Sequence, residues 1–493
     1  MKIWGISIKN LLTSWKNNEM TIKFRVFRSI YALVLVAMLT VSASAQSLLS
    51  SSTVRSATVG LVVKDLETDS LLIAYNYDKL LTPASVMKSV TTASAMLSLP
   101  ADFKFGTKVL LTGKIKKNTL DGNIVVKASG DPTLESRHFP DNAGFVDSIA
   151  AFVKARGINE ISGKIIVDYS VYDDGGVSQY WLLEDLPWDY GTGHFPLNYR
   201  DNAFVLTVGK GFSSKPNLDY IHVYNQLKKG KRNNASLTRA EGSCDFYLKG
   251  TAAAPYATRT YNCANPDPSR LFISELKSKL KAEGIALGGD DKKTSKVTAT
   301  YVHYSPLIDD IMHSLMVRSD NMFAEGMLRA QPLDTLEEAS VEASALREIA
   351  MWDSLGVATE SITIHDGSGL ARTNKLTPRF ETEMLTYMAR SPFAERYVAL
   401  FARAGVEGTL KSLLKDTPLQ GKLALKSGSM RGVQCYAGYK IDENNRPTHI
   451  VVVMVNNFNG ARANLKAAIG RFLLETFPTA ESESSQYGKE TNL

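Results

Sequence analysis

A chain of 493 residues with 44% hydrophobic and 22% charged side chains has the composition of an ordinary globular protein, and it is longer than one compact core usually fills. Two or three domains are therefore expected. The formal charge of +7 comes from scattered basic residues, which suits an anionic environment and gives no support for nucleic-acid binding, and the seven histidines and three cysteines show no His-x-x-x-His or Cys-x-x-Cys spacing, so no metal or cofactor is expected.

In chain order, Lys23, Arg25 and Arg28 precede an apolar run over 30–41 that is followed by Ala43-Ser44-Ala45. That pattern is a secretory signal with its small-residue cleavage site, too short for a comfortable membrane span. Residues 1–45 are assigned to the signal, with Met20 better placed than Met1 as the start, and the mature chain is expected to begin near Gln46 in a periplasmic or other extracytoplasmic compartment.

Residues 58–64 and 71–75 run apolar or alternate around Glu67-Thr68-Asp69-Ser70, which predicts a β-hairpin. A helix is expected over 85–99, introduced by Pro83 and Ala84, with Val86, Met87, Val90, Ala93 and Met96 at helical spacing. From 102 to 301 the texture changes to short β-like runs (108–112, 122–128, 163–168) separated by Gly, Asp and Asn turns, as in a β-rich accessory module. Within it Cys244 and Cys263 lie in one polar stretch, where export permits a disulfide and leaves two free thiols as the alternative. Cys435 is expected as a buried thiol.

Helical periodicity returns at 307–317, 337–355 and 378–390, followed by strand-like runs at 423–427, 433–441 and 448–455 and a helix at 461–477. The last stretch, 479–493, is polar and reads as a disordered tail, and no amphipathic C-terminal segment suggests a stable membrane anchor. A hairpin cannot form a large sheet alone, and the three C-terminal strands lack partners of their own. Joining them gives a discontinuous α/β (α+β) domain over 46–101 and 302–478, with the module at 102–301 inserted into it.

Three short motifs carry chemistry. In Ser85-Val86-Met87-Lys88 the first and last residues lie on one helical face, so the amine can take the hydroxyl proton if burial and a second cation keep it neutral near pH 7. The backbone N–H of a serine at a helix start is also available to a developing oxyanion. The same spacing recurs at Ser274 and Lys277, Ser278 and Lys281, and Ser412 and Lys415, where a solvated helix face explains it. Ser319-Asp320-Asn321 follows the helix ending near residue 318, at a corner where a hydroxyl can relay a proton and an amide can hold a peptide group, although a capping turn would read the same. Lys426-Ser427-Gly428, followed by Ser429, ends an apolar strand with a cation and hydroxyls suited to a carboxylate, and its glycine is expected to let a substrate backbone lie alongside.

All three in this order match the set shared by β-lactamases and penicillin-binding proteins. The chain resembles the low-molecular-mass, class C penicillin-binding proteins, which are D-Ala-D-Ala carboxypeptidases and endopeptidases. The resemblance extends to Pro83-Ala84, Gly130-Asp131-Pro132-Thr133-Leu134, Asp366-Gly367-Ser368-Gly369-Leu370-Ala371-Arg372 and Glu407-Gly408-Thr409-Leu410, and spans about residues 55–475. It implies a β-lactamase/transpeptidase-like domain, an antiparallel sheet flanked by helices, interrupted by an accessory insertion between Lys88 and Ser319. It implies Ser85 as nucleophile, Lys88 as base, Ser319 and Asn321 as proton relay and substrate grip, and Lys426, Ser427 and Ser429 as the carboxylate site. The oxyanion hole would be the N–H groups of Ser85 and Ser429. Serine at 427 stands where the family usually has threonine, which keeps the hydroxyl. The implied partners are peptidoglycan stem peptides and, as covalent inhibitors, β-lactams. A β-lactamase is disfavoured by the long insertion and by the lack of Glu-x-x-x-Asn beyond Asn321, and a non-catalytic wall-binding scaffold by the intact motifs.

Overall fold

The computed structural model describes residues 43–172, 175–331 and 339–478; the expected signal up to residue 42 and the tail at 479–493 lie outside them. The chain enters with α1 (Ala43–Leu49), the hairpin strands β1 (Thr58–Asp65) and β2 (Leu71–Tyr75), and α2 (Met87–Ser98). After the inserted segment come α3 (Ile308–Arg318), α4 (Asn321–Ala330), α5 (Val341–Ser354) and α6 (Pro378–Arg390). The chain then forms β3 (Ala402–Arg403), β4 (Leu423–Met430), β5 (Val433–Ile441), β6 (Pro447–Asn456) and α7 (Arg462–Thr476).

The N-terminal hairpin and the C-terminal strands make one six-stranded sheet in the order β3-β4-β5-β6-β1-β2, with each neighbouring pair antiparallel. Its central strands are apolar at consecutive positions because helices cover both faces. Val62, Ile450, Val452 and Met454 pack with Val90, Phe323, Trp352 and Phe380 of α2, α4, α5 and α6 on one side. Val59, Leu61, Val451 and Val453 pack on the other with Leu48 of α1 and Leu465, Ile469 and Phe472 of α7. Residues 43–45, expected as the cleavage motif, open α1, and Ala45 is buried in that second core.

The segment between α2 and α3 has its own core, including Val109, Phe145, Phe204, Phe246 and Phe272. Its strands form several small sheets, and it also contains two helices, Phe145–Lys154 and Pro268–Ala282, beyond the β-rich texture of its sequence. Its strand Val297–Tyr304 pairs antiparallel with Gly106–Thr112 over its whole length, which carries this sheet to Tyr304. Cys244, Cys263 and Cys435 are all free thiols, so the disulfide alternative for the first two is not realised; Cys263 and Cys435 are buried. Among the described residues, no helix is long and apolar enough to cross a membrane.

Candidate active site

Ser85 sits on a tight 3-10 turn, Ala84–Val86, and the regular helix starts only at Met87, two residues later than its periodicity predicts. Ala84 adopts a left-handed conformation, φ 49°, a state costly for a residue with a side chain and one that the surrounding contacts must impose. Two glycines press on this turn. A Cβ on Gly369, whose φ is 79°, would collide with the Ala84 carbonyl, and one on Gly428 would collide with the Pro83 carbonyl and stand 3.1 Å from Ser85 N. The glycine of the third motif thus admits the nucleophile turn, a role beyond the expected one of letting a substrate backbone lie alongside.

Helix geometry then brings Lys88 back over Ser85, with Nζ donating to Ser85 Oγ at 3.0 Å. The same Nζ donates to Asn321 Oδ1 at 2.6 Å and to the Ser368 carbonyl at 2.5 Å. The second motif is a helix-to-helix corner. Ser319, left-handed at φ 63°, closes α3, and Asp320 caps α4 by accepting from Phe323 N at 3.1 Å. That geometry sets Asn321 at the first turn of α4 with its Oδ1 toward Lys88, while its Nδ2 donates to the Tyr190 carbonyl of the inserted segment at 2.7 Å. From β4, Lys426 Nζ donates to Ser319 Oγ at 2.9 Å and to the Ser427 carbonyl at 2.8 Å.

Both amines are buried, Lys88 at 0% exposure and Lys426 at 1%. Burial pushes the pKa of Lys88 down to about 8, against the carboxylates of Asp366, Glu325 and Asp320, which favour its charge. Lys426 is lowered further, by burial and then by the neighbouring Lys88 charge. Burial thus moves Lys88 toward the neutral amine that proton abstraction from Ser85 requires.

A cavity of about 740 Å³ opens beside these groups, and Ser85, Ser319, Asn321 and Ser429 line it together with Trp188 and Tyr190 of the inserted segment. Ser427 Oγ donates to Thr409 Oγ1 at 2.7 Å, and the exposed Ser429 hydroxyl donates to Gln434 Oε1 at 2.7 Å and accepts from Arg462 at 2.9 Å. The eight residues singled out by motif therefore converge on one place. Sequence reasoning missed the partners that orient them. Asp366 accepts from Gly369 N, Ala371 N, Asn374 Nδ2 and Trp181 Nε1 at 2.6–2.8 Å, fixing the loop that offers the Ser368 carbonyl to Lys88. The loop's Asp-Gly-Ser-Gly run and the Glu407-Gly408-Thr409 run were visible signals without an assigned role; the Tyr190 carbonyl had none, since any residue supplies one.

The D-alanyl-D-alanine carboxypeptidase DacB of Haemophilus influenzae is 26% identical over 398 residues, 77% of this chain and 82% of its own. A D-alanyl-D-alanine carboxypeptidase of an Actinomadura species is 26% identical over 409 residues, 77% of this chain and 74% of its own. The crystal structure of penicillin binding protein 4 from Haemophilus influenzae superposes with a TM-score of 0.74 at 24% identity, covering 88% of this chain and 97% of that one, and so shares the fold. A family model spans residues 41–475, through both halves of the sheet and all three motifs, and the chain accordingly belongs to the D-Ala-D-Ala carboxypeptidase 3 (S13) family of serine carboxypeptidases.

Proposed function

We propose that the protein removes the terminal D-alanine from peptidoglycan stem peptides, and cuts D-Ala-linked cross-links, through an acyl-enzyme on Ser85. The observation that carries this reading is Lys88 Nζ at 3.0 Å from Ser85 Oγ, beside a cavity lined by Ser85, Ser319, Asn321 and Ser429. Neutral Lys88 takes the Ser85 proton as Oγ attacks the penultimate carbonyl, and the N–H groups of Ser85 and Ser429 receive the oxyanion. Ser319 Oγ accepts from Lys426, which leaves its own hydrogen free to pass to the departing amine, and the proton that Lys88 took from Ser85 is relayed to Ser319 in its place. Asn321 steadies Lys88 through Oδ1, and one N–H of Nδ2 remains beside that given to Tyr190 for a substrate carbonyl. Lys426, Ser427 and Ser429 hold the terminal carboxylate, with Gly428 keeping their strand against the nucleophile turn. Water then releases the acyl group.

β-Lactams acylate the same serine in this reading. The work is done outside the cytoplasm, after removal of the N-terminal signal, and with 102–301 as an accessory module whose Tyr190 completes the site. Incubation with a fluorescent penicillin tests it: a stable covalent label is expected, whereas fast turnover would indicate a β-lactamase and no label a scaffold.

A further inference from the structure

Glu325 is a carboxylate, 1% exposed, that the mechanism above leaves unused. It stands four residues after Asn321 on α4, so both side chains leave the same face of the helix. Asn321 reaches Lys88 directly, and Glu325 reaches it through one loop. Glu325 Oε2 accepts from Gly367 N at 3.1 Å and Oε1 from Ser368 N at 2.9 Å, and the Ser368 carbonyl accepts from Lys88 Nζ at 2.5 Å. From the opposite side Thr91 of α2 donates to the Gly367 carbonyl at 2.8 Å. The loop has no slack against α4, because a Cβ on Gly367 would come within 2.9 Å of both the Ala324 carbonyl oxygen and Leu328 Cβ.

We infer that Glu325 is a positioning residue for acylation, holding the Ser368 carbonyl against Lys88 and thereby aiming Nζ at Ser85 Oγ. Lys88 has three hydrogen-bond partners, Ser85, Asn321 and the Ser368 carbonyl. One of the three is set by Glu325. The inference rests on the proposed role of Lys88 as base.

The carboxylate also acts through its charge. Each of its oxygens faces an N–H, the arrangement an anion accepts and a protonated carboxyl does not need. Burial and the Asp366 charge push its pKa up, while the two N–H donors and the Lys88 charge favour the anion that this geometry describes. The charges that bear on Lys88 are Asp366, Glu325 and Asp320, all favouring the ammonium, with Lys426 on the facing strand. Removing the Glu325 charge therefore lowers the pKa of Lys88. Because the base must be neutral, the rising limb of the rate profile moves to lower pH, while the plateau falls through misplacement of Nζ.

The test is the second-order rate of acylation by benzylpenicillin between about pH 6 and pH 10, with thermal unfolding measured in parallel. Glu325→Gln is expected to lower the plateau about tenfold or more and to shift the limb to lower pH. Gly367→Ala, which lifts the loop but keeps the carboxylate, is expected to lower the plateau with the limb in place. A folded Glu325→Gln enzyme with either the wild-type plateau or an unmoved limb overturns the inference, the latter leaving only a structural residue. If Glu325→Gln does not fold, Gly367→Ala decides, and a wild-type plateau there overturns it. A wild-type enzyme that fails to label at Ser85 would instead count against the proposed function.

Discussion

Replacing Lys426 by Gln separates recognition of the substrate's carboxylate from the electrostatics of the site. Lys426 is 1% exposed and its Nζ is held by Ser319 Oγ at 2.9 Å and the Ser427 carbonyl at 2.8 Å, beside two hydroxyls at the edge where a strand-aligned peptide would end. A charge-assisted contact with a carboxylate contributes roughly 1.5–3 kcal/mol, so its loss is expected to lower kcat/KM about tenfold to a hundredfold on a peptide ending in free D-Ala-D-Ala. The C-terminal amide of the same peptide lacks that contact. It should suffer only the part of the loss that comes from Ser319 and Lys88. Equal losses of kcat/KM on acid and amide would refute carboxylate recognition by Lys426.

Acylation by benzylpenicillin should rise with pH through the region near 8, because burial places the Lys88 pKa there and only the neutral amine accepts the proton; Lys88→Arg should abolish it, and retention of more than a small fraction of the rate would remove Lys88 as base. Gly428→Ala should cut acylation by at least about tenfold, since its Cβ would drive the strand away from Pro83 and the Ser85 turn, and an unchanged rate would show that the contact is not needed. A thiol reductant should leave the melting temperature within error, because all three cysteines are free, and a marked drop would reveal a disulfide.

Much of the catalytic half was legible because its signals are local. Alternation around 67–70 gave the hairpin, and the three motifs marked the turn, the corner and the strand end. The helix Asn321–Ala330 was left open, because Ser319-Asp320-Asn321 reads equally well as a helix-to-loop or a helix-to-helix corner, and only Asp320 accepting from Phe323 N decides for a new helix. The left-handed Ala84 was not legible either: alanine carries no preference for that state, which follows from contacts with Gly369 and Gly428, hundreds of residues away. The charge state of Lys88 needed three dimensions as well. A second lysine was foreseeable from the third motif, whereas the carboxylates of Asp366 and Glu325 gather around Lys88 only in the folded chain.

The central claim is that the hydroxyl under Lys88 is the one that is acylated. Mass spectrometry of peptides from benzylpenicillin-treated enzyme measures it directly. An adduct is expected on the peptide carrying Ser85 and is lost in Ser85→Ala; an adduct on the peptides carrying Ser274, Ser278 or Ser412 instead, or one that survives Ser85→Ala, would contradict this assignment.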